Sequence, residues 1–266
     1  MRHVFHVIGA HFRMAAATEL QYRSNVWTYA LNTVITLGVS LASLGLVYGK
    51  VNSLGGWSSD DMLVVLGVFF SLGAIVNGVV HLSMAKLVAD IRTGDFDYRL
   101  LRPVDAQMVA VAQAPDPWRV FDLIVGIALI AIGLARGGFD NAAGGPFGAI
   151  AAGIGLLAVG VALAAAFWTL LSCVTFWTIQ GEGILWALDD MYDHLRWPIT
   201  IFPPGLRIAL STVFPLGLAV TVPAQALTGR LDATMAASAV GIALMFVLAS
   251  RKVWNIAVRR YEGASA

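Results

Sequence analysis

Six stretches of the chain are almost free of charge, and the charged residues gather in the segments between them. Residues 24–49 lie between Arg23 and Lys50, and residues 62–85 between Asp61 and Lys86. The run 123–135 is shorter and reaches spanning length when 118–122 is added; 141–181, 208–229 and 233–250 complete the set. A helix crossing ~30 Å of hydrocarbon at ~1.5 Å per residue needs about 20 mostly apolar residues. The pattern predicts an all-α, polytopic transmembrane helix bundle of about six spans, since helices satisfy their own backbone polar groups in lipid. The alternating strands of a membrane β-barrel are not visible.

The run 141–181 is longer than one span needs. Gly144, Gly145 and Pro146 suit a turn at its start, and one long helix over 147–181 is the preferred reading. Two short spans would instead turn residues 198–227, with Pro203, Pro204, Pro215 and Pro223, into a re-entrant hairpin. Proline at that density is tolerated only where neighbours or water satisfy the freed carbonyls.

Composition excludes a soluble domain. Only 12% of residues are charged, 58% are hydrophobic and the mean hydropathy is +0.77, too little charge to cover a water-exposed surface. Lys and Arg then set the orientation. In a six-span reading, the N-terminus, residues 86–119, residues 182–207 and the C-terminus hold all of these cations except Lys50, Arg136 and Arg230. The positive-inside rule places both termini in the cytoplasm. Before the first span, Val4, Phe5, Ile8, Phe12 and Ala15 share a face opposite Arg2, His6 and Arg13, as in an interfacial amphipathic helix. The expected organisation is an interfacial helix over 1–23, a six-span domain over 24–254 and a cytoplasmic tail over 255–266. Trp27, Trp57, Trp118, Trp197 and Trp254 lie near expected span ends.

Several chemistries have no carrier. There is no G-x-x-x-x-G-K-S/T loop to cradle nucleotide phosphates, and no H-E-x-x-H, C-x-x-C or G-x-S-x-G. Cys173 stands alone, and the five histidines are scattered. Glu182, Asp189, Asp190 and Asp193 form an acidic patch, read as an interfacial helix rather than a metal site for want of His or Cys partners. Asp122 is the carboxylate nearest a span interior and is expected to pair with Arg119, three residues earlier. A proton-coupled mechanism has little to work with, so the energy source lies outside this chain.

Two features stand out beyond the spans. The segment A-D-I-R-T-G-D-F-D-Y-R-L-L-R-P (Ala89 to Pro103) interleaves charges with bulky apolar residues more densely than a solvated loop requires. Thr28, Asn32, Thr36, Ser40 and Ser43 form a polar stripe within about a third of the first helix's circumference at ~100° per residue. Asn77 adds a polar group in the second span. The stripe and Asn77 serve either interhelical hydrogen bonding or the lining of a pathway. Small-residue pairs at Gly45/Gly49, Gly67/Ser71 and Gly133/Gly137 suit close helix packing.

In the order and spacing of its motifs the chain resembles the membrane permease subunits of type 2 ABC-type exporters, in particular the bacterial paired-permease branch. The resemblance rests on Tyr22-Arg23 entering the first span, I-R-T-G-D-F-D-Y-R-L-L-R-P (Ile91 to Pro103), W-P-I-T-I-F-P (Trp197 to Pro203), V-P-A (Val222 to Ala224) and W-N-I-A-V-R-R-Y-E-G-A (Trp254 to Ala264). Trp197 stands where tyrosine is expected before the proline. The resemblance implies a multi-pass subunit of a bacterial inner membrane that forms half of a translocation pathway and is itself no enzyme. It implies two cytoplasmic ATPase subunits carrying ATP and Mg, and a second permease, identical or sister; no cofactor is expected in this chain and no nucleic-acid partner. It also implies a coupling helix in the first cytoplasmic loop, 86–119, which makes Arg92, Gly94, Asp95, Asp97, Leu100 and Arg102 the coupling candidates. The competing reading is a membrane scaffold or assembly protein with no transport path.

Overall fold

The structure, a computed structural model, describes residues 2–19, 23–101, 104–137, 145–178, 192 and 194–261. It is helical, with no β-strand among the described residues. Helix α1 (Arg2–Glu19) precedes α2 (Arg23–Tyr48), and a short loop leads to α3 (Ser59–Ile75). Ser58 and Asp61 start α3 with a reciprocal capping box, which satisfies two of its free N–H groups. A wider π-helical segment, Val76–His81, joins α3 to α4 (Leu82–Thr93), so the second span runs on without a break. Gly94, at φ 83°, ends it in the left-handed conformation that glycine adopts without strain. Next come α5 (Phe96–Leu100), α6 (Ala106–Val111), a 3₁₀ turn at Pro117–Arg119, and α7 (Val120–Gly137). Helix α8 (Gly145–Cys173) follows, then α9 (Pro204–Thr212), α10 (Leu216–Leu227) and α11 (Ala233–Arg259).

Among the described residues, five helical stretches are long and apolar enough to cross a membrane: 25–48, 59–93, 117–137, 145–176 and 233–259. The long fourth run is one helix, as preferred from the sequence. Its 3₁₀ extension, Val174–Phe176, carries it toward α5. α3 sits at the centre, with Met62, Val65 and Leu72 fully buried, and this is why it is apolar on all sides. On the outer faces of the other spans Leu31, Ile127, Ile154 and Leu248 stand exposed.

α3 and α7 approach closely. A methyl group on Gly67 would meet the Gly126 carbonyl oxygen at 2.6 Å, and one on Gly133 would meet Asp60 O at 2.8 Å. Ser71 lines the same contact, and Gly137 flanks Asp60. Gly160 plays the same part against the Ala219 backbone of α10 and Gly153 makes room for the Leu227 side chain, whereas Gly45 touches nothing outside its own helix and Gly49 meets only that helix's backbone. Small residues matter here because dispersion between close backbones, rather than hydrophobic exclusion, drives helix association in lipid.

The region after α8 departs from expectation. Residues 208–229 do not form a straight span: the chain turns through 102° between α9 and α10. Pro215 at the turn supplies no N–H and disfavours helix at Phe214, so one helix cannot run through. The entry and the exit of this pair lie at the same end of the bundle. Before it, Trp57 Nε1–H donates to Thr200 Oγ1 at 2.8 Å, and Ile201 lies against Gly55. After it, Arg230 pairs with Asp61 at 2.7 Å and donates to the Gly56 carbonyl. The α9–α10 pair is therefore a re-entrant hairpin entering from the Trp57 end, with Phe214 at its tip against Phe167 of α8.

Phe176 packs at the α5 end and Ile201 at the Trp57 end. Tyr192 donates to Phe69 O, and Arg196 lies over the Phe69 ring and 3.5 Å from Ser40. The described residues of 182–207 therefore do not lie together in one cytoplasmic loop, as the sequence led one to expect. Arg196 lies among the spans, and Arg207, bonded to the Thr200 and Phe202 carbonyls, lies at the Trp57 end. Helix α1 and Tyr261 share the α5 end, where α1 packs on α6 and Tyr261 on Phe96.

Candidate functional site

At the α5 end, a helix of five residues is too short to be stable alone. Side chains hold it in place. Phe96 is fully buried, with ring centroids 5.4 Å from Phe176, 6.0 Å from Trp254 and 5.3 Å from Tyr261. Arg99 binds the buried carboxylate of Asp90 on α4, which Lys86 also approaches at 3.7 Å. Burial first, and then the nearby Asp97 carboxylate, raise the Tyr261 phenol above the ordinary tyrosine range. Of the coupling candidates, Arg92, Asp95 and Leu100 reach the surface, joined there by Tyr98 at 71% and Leu101 at 81% exposure. Gly94 makes the turn, Asp97 faces Tyr261, and Arg102 lies outside the described residues. The inward half of this loop, Phe96 and the Asp90–Arg99 pair, is what the sequence reading missed.

Behind α5, the loop that leads to α7 is pinned to α4. Gln113 donates to Ser83 O at 2.8 Å, and the Ala114 N–H donates to the Ser83 hydroxyl. Asp105 caps α6 and accepts from Arg251 at 2.9 Å; that bond is the main reason its carboxyl is held below the ordinary range.

A cavity of about 380 Å³ opens between α2, α3, the π-helical segment, the start of α7 and Tyr192. Asn32 and Thr36 of the polar stripe line it, and so does Asn77. The π-helical turn puts Asn77 and His81 on this wall and leaves the Gly78 carbonyl to accept from Asp116 N–H at 2.8 Å. Wide turns of this kind recur at functional sites. Facing them, Arg119 donates to Asp122 at 3.2 Å, as predicted, lies 3.5 Å from Asp116, and stacks over the Tyr29 ring. Phe69 and Phe70 form the apolar wall.

The rest of the stripe does other work. Ser40 is buried beside Arg196, Ser43 donates to Val39 O of its own helix, and Thr28 is exposed. Thr33, one position off the stripe, donates to Asp122 at 2.6 Å and so ties α2 to α7. Glu182, Asp189, Asp190 and Asp193 fall outside the described residues. Among the described residues no cluster of three or more His, Cys, Asp or Glu could hold a metal ion.

A membrane bundle with a re-entrant hairpin at one end and an anchored short helix at the other fits the resemblance drawn from the sequence, and the family comparison decides it. The model described as ABC-2 family transporter protein matches residues 34–265. The chain belongs to the ABC-2 transporter family. Neither the curated proteins nor the solved structures yield a match. As an ABC-2 permease the chain is the multi-pass membrane subunit of an ABC exporter. Permeases of this family are typically non-catalytic and work with ATPase subunits. The scaffold reading is accordingly not favoured.

Proposed function

We propose that this ABC-2 permease forms half of a translocation path, pairs with a second permease, identical or sister, and is driven by two cytoplasmic ATPase subunits that dock on α5. ATP and Mg belong to those partners, and the sequence supports this by its lack of any phosphate-cradling loop. The excess of Lys and Arg toward the α5 end supports a cytoplasmic location for it and for both termini in a bacterial inner membrane. The observation that carries the docking reading is the surface of α5. There Tyr98, Leu100 and Leu101 stand exposed beside Arg92 and Asp95, on a helix whose other face is fixed to the bundle. The polar cavity on α2 and α3 serves as a cargo-facing wall. Its hydrogen-bonding groups beside Phe69 and Phe70 suit an amphiphile.

Charge reversal tests the docking. Asp95→Lys should release most of the ATPase on co-purification, because a reversed charge at a docking surface opposes like charges, a penalty of about 2–5 kcal/mol where the pair is desolvated. Lys50→Glu, exposed at the Trp57 end, is the control and should retain the ATPase. Equal retention by the two variants at matched permease levels rejects the docking assignment. The permease purified free of its ATPase should hydrolyse ATP no faster than a mock preparation.

A further inference from the structure

The Phe96 contacts have a counterpart deeper in the bundle. Phe176 ends the extension of α8, and Trp254 lies on α11 eight residues after Phe246. Toward the Trp57 end, Phe167 of α8 packs on Phe246 of α11 at 5.8 Å, and on Phe214 at the hairpin tip at 5.3 Å. One helix pair thus carries two ring clusters about 12 Å apart, at ~1.5 Å rise per residue. One cluster grips α5 and the other touches the re-entrant hairpin.

The covalent route from α5 back to α4 is a poor lever. It passes through Gly94, a left-handed residue with no side chain to resist rotation. Phe96 has no such freedom, being fully buried among three rings that also contact one another, Phe176 at 6.1 Å from Trp254 and 5.7 Å from Tyr261. Close-packed interiors transmit displacement rather than absorb it. We propose that Phe96 is a positioning residue: seated among Phe176, Trp254 and Tyr261, it carries displacement of α5 into the α8–α11 pair and on to Phe214 at the tip of the re-entrant hairpin. This rests on the reading of α5 as the ATPase-docking helix.

The test uses the full permease–ATPase complex in membranes, with a bimane fluorophore on Val213→Cys beside the hairpin tip, where Val213 is exposed; Cys173 is buried. Bimane emission is compared without nucleotide and with ATP plus orthovanadate, which traps the ATPase. In the parent, emission should shift on trapping. In Phe96→Ala and in Trp254→Leu the shift should disappear while the ATPase still co-purifies and turns over ATP, and Phe96→Tyr should restore it. A shift that persists in both variants overturns the proposal, because the signal then runs through Gly94 and the Asp90–Arg99 pair. A parent without any shift overturns it too, because the hairpin is then not the receiving element. Should Phe96→Ala shed the ATPase, Trp254→Leu decides, since it leaves the α5 surface unaltered; if that variant sheds it as well, the cluster is only a support and the proposal falls. The docking reading fails separately, if Asp95→Lys keeps its ATPase.

Discussion

Thr33 shows how much one residue's neighbours decide. It lies next to Asn32 on α2, yet it points at Asp122 of α7 rather than into the cavity. α2 makes few contacts with the rest of the bundle, so this charge-assisted bond is one of the links that hold it. Thr33→Val should cost about 1.5–3 kcal/mol, the usual worth of a hydrogen bond to a charged group. Ser43→Val, whose parent hydroxyl satisfies only its own helix, should be close to neutral. Thermal unfolding of the purified permease in detergent would check both, and equal losses would remove Thr33 as a link. The sequence showed that α2 has a polar face but not which partner that face meets, since a helical period orders residues around one axis only. Arg119–Asp122 was legible because both members lie on one helix turn. Thr33–Asp122 was not, because 89 positions separate them.

Among elements, the α3–α7 pair is the tightest contact, and glycine is the reason. A methyl group added to Gly126 would sit 2.7 Å from Gly67 O, a backbone atom that cannot rotate away. Gly126→Ala should therefore force the helices apart at a cost of about 1–3 kcal/mol. Gly45→Ala, with nothing within 4 Å, should be neutral or slightly stabilising through helix propensity. Melting temperatures of the two variants give the comparison, and an unaffected Gly126→Ala would show that the interface is looser than described. Two of the three small-residue pairs marked in the sequence do lie in this contact. Gly126 itself escaped notice because its partner on the same face, Gly133, is seven residues away, two turns rather than one. Amphipathic α5 was legible as an element, but its interleaved pattern did not say that Phe96 faces inward while Tyr98 and Leu101 face outward.

At the scale of the molecule, hydropathy found the helices but read a bent, returning run as a straight span. The apolar run 208–229 has the length of a span, while Arg196 gives the region before it the look of a loop. Tertiary contacts reverse both assignments. Arg196 finds the Phe69 ring and Ser40 within the bundle, and the proline-broken run turns back toward Trp57. Such interrupted backbone persists in a membrane only when it is covered by protein, and α8 and α3 cover α10, all of whose residues are buried. The two topologies differ in the side on which the start of α9 emerges. Gly205 is exposed there, with open space around it, so Gly205→Cys should leave the fold intact. With a membrane-impermeant thiol reagent on intact cells, Gly205→Cys should label together with Lys50→Cys, and Asp95→Cys should label only after permeabilisation. A straight fifth span rising out of a cytoplasmic 182–207 loop would instead make Gly205→Cys behave like Asp95→Cys. That outcome would also undo the link from Phe96 to Phe214, because a hairpin tip could no longer lie there to receive the movement.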